Sequence, residues 1–129
     1  MPVAEAESCG VLVVEDDLSI RRLVTTVLQR EGYSVECACD GIEAVLKLGL
    51  CEYDVILLDL MMPNLDGFEF IDKLREHDPD RLRRVIVTSA ASPAIIRERL
   101  HGAPFAVVPK PFELAELLER IRECVAAQA

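Results

Sequence analysis

Basic residues are in short supply here: 14 Lys and Arg stand against 23 Asp and Glu, a formal net charge of −9 at pH 7. A domain that grips a nucleic-acid backbone needs a basic face, so direct nucleic-acid contact is not expected. Long apolar runs are missing too. No stretch approaches the roughly 20 residues of a membrane-spanning helix. The opening Met1-Pro2-Val3-Ala4-Glu5-Ala6-Glu7-Ser8 lacks the basic and apolar regions of a signal peptide. The expected location is therefore the cytoplasm, without membrane contact. The five cysteines (Cys9, Cys37, Cys39, Cys51 and Cys124) include no C-x-x-C pair, the spacing of zinc and redox sites. They read as small buried apolar side chains in a reducing compartment. His77 and His101 read as solvated.

What is present is the material of one ordinary domain. Of 129 residues, 51% are hydrophobic and 29% charged, enough for a real core. Residues 1–8 read as a flexible N-terminal extension, 9–125 as the domain and 126–129 as a C-terminal tail. Strand and helix patterns alternate five times, which points to a parallel sheet with helices on both faces. Strands are expected at about 10–14, 33–39, 53–59, 84–89 and 105–108. Pro109, without an N–H, suits an edge strand.

The helices carry their own punctuation. From Ser19 on, Ile20, Leu23, Val24, Val27 and Leu28 recur at the helical period, and Gly32 closes the helix as a left-handed cap. Asp40 with Glu43, and Asp66 with Glu69, have capping-box spacing for the second and third helices. The second runs to about residue 48 or 49, and the third stops before Asp78-Pro79. Ser92 and Pro93 open a short fourth helix, with Gly102 beyond its end. Only Ile95, Ile96 and Leu100 can anchor it, so it is a candidate moving part. The last helix, from Phe112, puts Leu114, Leu117, Leu118, Ile121 and Val125 on one face.

Three central strands end in polar groups. The first delivers Glu15-Asp16-Asp17, the third Asp59, the fourth Thr88-Ser89, and the last strand adds Lys110. Open α/β sheets bind their ligands beyond such strand tips. Several carboxylates in one place repel: two unit charges at 4 Å cost about 4 kcal/mol at an effective dielectric of 20. Lys110 offsets one, and a divalent cation offsets two. Hard oxygen donors without His or Cys favour magnesium, Mg2+. A Mg2+ beside a carboxylate, a Lys and a hydroxyl would hold a phosphoryl group, with Asp59 as nucleophile forming an acyl phosphate.

Taken in order, Glu15-Asp16-Asp17, Asp59 with Met62-Pro63 and Asp66-Gly67, Thr88-Ser89-Ala90, and Lys110-Pro111-Phe112 resemble the receiver domain of two-component response regulators, of the chemotaxis-regulator type. The resemblance covers about residues 9–125. It implies an α/β, flavodoxin-like receiver fold: a five-stranded parallel sheet of order 2-1-3-4-5, doubly wound by five helices. It makes Asp59 the phosphoacceptor, served by a histidine kinase or a histidine phosphotransfer protein. Asp17 would be the direct Mg2+ ligand, Asp16 its neighbour acting through water, and the Met61 backbone carbonyl the third protein ligand. Ser89, rather than Thr88, matches the hydroxyl that follows the phosphate, and Lys110 matches the family's lysine, with a cis Lys110–Pro111 peptide.

The same resemblance implies a signalling module rather than an enzyme. It would assist its own phosphorylation and dephosphorylation and present a surface of fourth helix, last strand and last helix to a downstream target, an effector domain or a homodimer mate. One position departs from the pattern. Three residues before Lys110, where the family often has Tyr or Phe, stands Val107; the nearest aromatic is Phe105. Two other readings remain open: a receiver-like interaction module independent of phosphorylation, and a Mg2+-dependent aspartyl-phosphate hydrolase. The hydrolase normally needs a second acid two residues after the nucleophile, where this chain has Met61.

Overall fold

The computed structural model describes residues 10–100 and 104–128. Its elements run β1 (Gly10–Val14), α1 (Leu18–Arg30), β2 (Ser34–Ala38), α2 (Gly41–Leu50), β3 (Val55–Asp59), β4 (Met61–Met62), β5 (Leu65–Asp66), α3 (Gly67–His77), α4 (Pro79–Leu82), β6 (Val85–Ser89), α5 (Pro93–Arg99), β7 (Ala106–Pro109) and α6 (Leu114–Gln128). The main sheet has the order β2-β1-β3-β6-β7, every neighbour parallel. That is the expected 2-1-3-4-5 arrangement, with β6 and β7 as its fourth and fifth strands. Pro109 ends β7 at the sheet edge, where a missing N–H breaks no ladder.

Side chains alternate across a strand with period two, and the two faces sort accordingly. Leu12, Val14, Ile56, Leu58, Val85 and Val87 join a core with α2, α3, α4 and α5. Val11, Val13, Val55, Leu57 and Ile86 join another with α1 and α6. β3 and β6 are buried at every residue, the mark of central strands covered on both sides. Ile71 of α3 and Ile121 of α6 are fully buried, one on each face; truncating either to Ala would cost about 2–5 kcal/mol.

The helix ends follow from their caps. Asp17 lies in extended backbone and its Oδ1 accepts the Ile20 N–H at 2.9 Å, so α1 starts one residue before Ser19. Gly32, at φ 97°, closes it. Asp40 caps α2 through the Glu43 N–H, Asp66 caps α3 through the Phe68 and Glu69 N–H groups, and Ser92 caps α5 through the Ile95 N–H. Gly67 has no room for a side chain, because a Cβ there would lie 2.6 Å from the Leu60 Cα.

Four details depart from expectation. A sixth helix, α4, follows α3 because Asp78 ends one helix and caps the next, with Pro79 in its first turn. A two-residue ribbon, β4 with β5, turns through Pro63 and Asn64, the latter at φ 61°. α6 runs through Gln128, taking in residues expected as a tail. Cys124 is buried and Cys37 half-buried, but Cys39 and Cys51 are exposed; one follows an edge strand and the other ends α2. The expectations for residues 1–8, Cys9, His101 and Gly102 lie outside the described residues. Among those described, no helix is long and apolar enough to cross a membrane.

Candidate functional site

Sheet register assembles the site. Val14 pairs with Leu58 across β1 and β3, so the next residue, Glu15, comes level with Asp59. Asp59 pairs with Thr88, and Ser89 with Pro109, which brings Lys110 just past the same edge. The Lys110 N–H donates to the Ser89 carbonyl at 2.8 Å, fixing the start of the loop, and the Lys110–Pro111 peptide is cis as expected.

The charged groups form one compact constellation. The Lys110 ammonium donates to Glu15 Oε1 at 2.9 Å and to Asp59 Oδ2 at 3.2 Å. Asp59 Oδ1 accepts the Met61 N–H at 3.1 Å, and Glu15 Oε2 accepts the Asp17 N–H at 3.2 Å. Glu15 and Asp59 are nearly buried, at 4% and 5% exposure, whereas Asp16 is exposed at the mouth. One carboxylate oxygen from each of Glu15, Asp16 and Asp59 lies within 4.8 Å of the other two.

Protonation follows from this crowding. Burial pushes the Glu15 carboxyl above its ordinary value, against the opposing hydrogen bond from Lys110, and the Asp59 charge adds to the rise. Burial pulls Lys110 down, but its bonds to Glu15 and the attraction of Asp59 outweigh it, so the ammonium is held more firmly than usual. Three acids and one ammonium leave surplus negative charge lined with hard oxygen donors, and that donor set fits a Mg2+ ion.

The predicted residues are placed as follows. Asp59, Asp16 and Lys110 come together. Met61, 61% exposed, stands at the rim. Ser89 is fully buried beside them, and its hydroxyl accepts the Ala91 N–H at 3.0 Å. Asp17 is not in the cluster: its carboxylate caps α1. Glu15, to which no role was given, takes the inner place instead. β1 stops at Val14 and Asp17 already belongs to the helix start, which leaves Glu15 and Asp16 as the acids beside Asp59. The signal in the sequence is Asp17 itself, an N-cap residue three before Ile20, where the inward apolar stripe of α1 begins. Val107 occupies the place of the expected aromatic, opposite Val87 and 38% exposed, while Phe105 packs on the face of α1 and α6.

On the far side of the ribbon, Arg99 of α5 lies 4.2 Å over the Phe68 ring and 3.8 Å from Asp66. It links the short helix to the start of α3.

A doubly wound sheet of this order, with an acidic trio and a lysine beyond its strand tips, defines a flavodoxin-like receiver fold. The profile described as "Response regulator receiver domain" matches residues 11–122, and the chain belongs to that family. It is similar to response regulator MprA of Mycobacterium tuberculosis (strain H37Rv), 40% identical over 118 residues that cover 89% of this chain and 50% of MprA. The chain thus spans about half the length of the curated relatives it matches. Among solved structures it is similar to the receiver domain of the sensor histidine kinase PA1611 of Pseudomonas aeruginosa PAO1, which carries a magnesium ion coordinated in the active-site cleft (29% identity, TM-score 0.80, 92% of this chain and 98% of that one). It is also similar to response regulator TrrA of Thermotoga maritima in complex with Mg2+ and BeF (32% identity, TM-score 0.79, 90% and 98%). The family's domains serve signalling in two-component systems and are not conventional enzymes.

Proposed function

We propose that this receiver accepts a phosphoryl group on Asp59 from the phosphohistidine of a histidine kinase or histidine phosphotransfer protein in the cytoplasm. The observation that carries the reading is the nearly buried Asp59 carboxylate held by Lys110 beside Glu15 and Asp16. A carboxylate oxygen of Asp59 attacks phosphorus, the P–N bond breaks, and the imidazole leaves with the electron pair. Asp16, Asp59 and the Met61 carbonyl would hold Mg2+, with Glu15 next to it, and Asp17 is left to its cap. The ion, when bound, neutralises the phosphoryl oxygens. Lys110 gives those oxygens a second positive partner, and Ser89 a hydroxyl donor once it leaves the Ala91 N–H.

The output is a shift of the segment from Ser89 through α5, read by a partner, an effector domain or a second chain at the surface of α5, β7 and α6. To reverse a 1:99 equilibrium, the phosphoryl group must favour the new state by about 5.5 kcal/mol. Treatment with acetyl phosphate and Mg2+ should add one phosphoryl group per chain by intact mass, and beryllofluoride should shift amide resonances around Ser89. Asp59→Asn should lose both responses. Equal responses from wild type and variant would reject the proposal. Val107 favours a second reading, an interaction module that ignores phosphate. Failure to bind Mg2+ at millimolar concentration would promote it.

A further inference from the structure

Away from the site, apolar surface is unevenly spread. Nine large hydrophobic residues are exposed among those described, and four of them, Ile42, Val45, Leu46 and Leu50, lie on α2. They are 59%, 54%, 63% and 82% exposed. Three of the four edge a groove of about 610 Å³ between α2 and α3, whose other wall includes Leu65 and Phe70. A solvated helix would carry polar residues there; Glu43 and Lys47 are the only charged residues of α2. An apolar patch of several hundred Å² in one place marks an interaction site.

The charges along the groove say what fits it. Glu69 lines its upper end, nearer the strand tips, and Lys73 its lower end. A second copy turned upside down meets each with the opposite charge. The two residues are centred on residue 71. One two-fold axis across α3 at that level therefore sets each against its counterpart. The same axis lays α2 on α2 and α3 on α3, antiparallel, and closes the two grooves on each other. α2 and α3 have 10 and 11 residues, so the four helices match in length. A self-complementary face of this kind is what an isologous dimer requires.

We infer that this chain pairs with a second copy of itself through α2 and α3, as an antiparallel four-helix contact that sets Glu69 of each chain against Lys73 of the other. The contact lies apart from the phosphoacceptor pocket and does not depend on it. The test is sedimentation equilibrium of the wild type without phosphorylating agent. A reversible dimer is expected, and Leu46→Glu should be monomeric while keeping its far-ultraviolet circular dichroism. Glu69→Lys and Lys73→Glu, both at exposed positions, should each raise the dimer Kd at least about tenfold. An equimolar mixture of the two variants should restore the wild-type value, because each chain then supplies the charge the other lacks. A wild type that stays monomeric at hundreds of micromolar would overturn the inference. So would single variants that dimerise normally, or a mixture no tighter than its components.

Discussion

Removing the Lys110 ammonium isolates the electrostatics of the site before any phosphate arrives. In Lys110→Met the stem is kept and the charge lost, so Glu15 and Asp59, each nearly buried, face one another without the cation that sat 2.9 and 3.2 Å away. Breaking a buried pair by taking one partner costs about 3–5 kcal/mol. A carboxylate, however, can be destabilised only until it takes a proton. From the ordinary Glu value of 4.5 to pH 7, that ceiling is about 3.4 kcal/mol at 1.36 kcal/mol per unit. Burial already holds Glu15 above 4.5 in the wild type, so part of the cost is present before the substitution. The expected loss is about 2–3 kcal/mol at pH 7.

The pH dependence gives the decisive check. Folded Glu15 in the variant binds its proton more tightly than the unfolded chain does. Its contribution is therefore most favourable below pH 4.5 and is lost as pH rises toward the folded value. At pH 5.5 the ceiling falls to about 1.4 kcal/mol, so the difference between variant and wild type should roughly halve. Urea denaturation in EDTA at the two pH values measures it, followed by circular dichroism because the chain has no tryptophan. A deficit below about 1 kcal/mol at pH 7, or one unchanged at pH 5.5, would refute the view that Lys110 compensates buried charge.

Two further measurements address residues around the core. Asp16→Asn should weaken Mg2+ binding at least about tenfold in a calorimetric titration, whereas Asp17→Ala should leave it within about twofold and cost about 1 kcal/mol of stability through the lost cap; the reverse pattern would return the metal role to Asp17. The Tyr53 hydroxyl donates to Glu36 at 2.8 Å, and burial followed by that bond raises its pKa well above 10. Its stabilisation is thus full below about pH 10 and is lost above it, so the deficit of Tyr53→Phe should shrink by about 1.4 kcal/mol per pH unit at most beyond that point; a constant deficit from pH 8 to 11 would contradict this.

The sheet was legible because its central strands open as apolar runs, residues 55–58 and 85–87, the pattern of strands buried on both sides. Asp59 and Ser89 were legible as the last residues of those strands, and Lys110 as the residue just beyond the edge strand β7. The acidic turn was harder. Which of three consecutive acids faces inward depends on where β1 stops relative to β3, a register that composition does not carry. Asp17 nevertheless advertised itself as a cap. Asp78-Pro79 held two signals at once, a stop for α3 and a start for α4, and only the stop was read. Pro63-Asn64 likewise marks a turn by its residue types. The groove between α2 and α3 was invisible in the pattern, since it arises where two helices separated by a whole strand meet.

The two ends of α5 are held by different kinds of contact. At its start, the Ser92 hydroxyl meets the Ile95 N–H at 3.2 Å, a bond with strict demands on distance and angle. At its end, the guanidinium of Arg99 rests on the Phe68 ring, an attraction that persists out to about 6 Å and tolerates lateral drift. Mechanically the helix is a cantilever, clamped at one end and resting on a bearing at the other. A displacement of that far end by up to about 2 Å would still leave the guanidinium within the roughly 6 Å reach of the Phe68 ring.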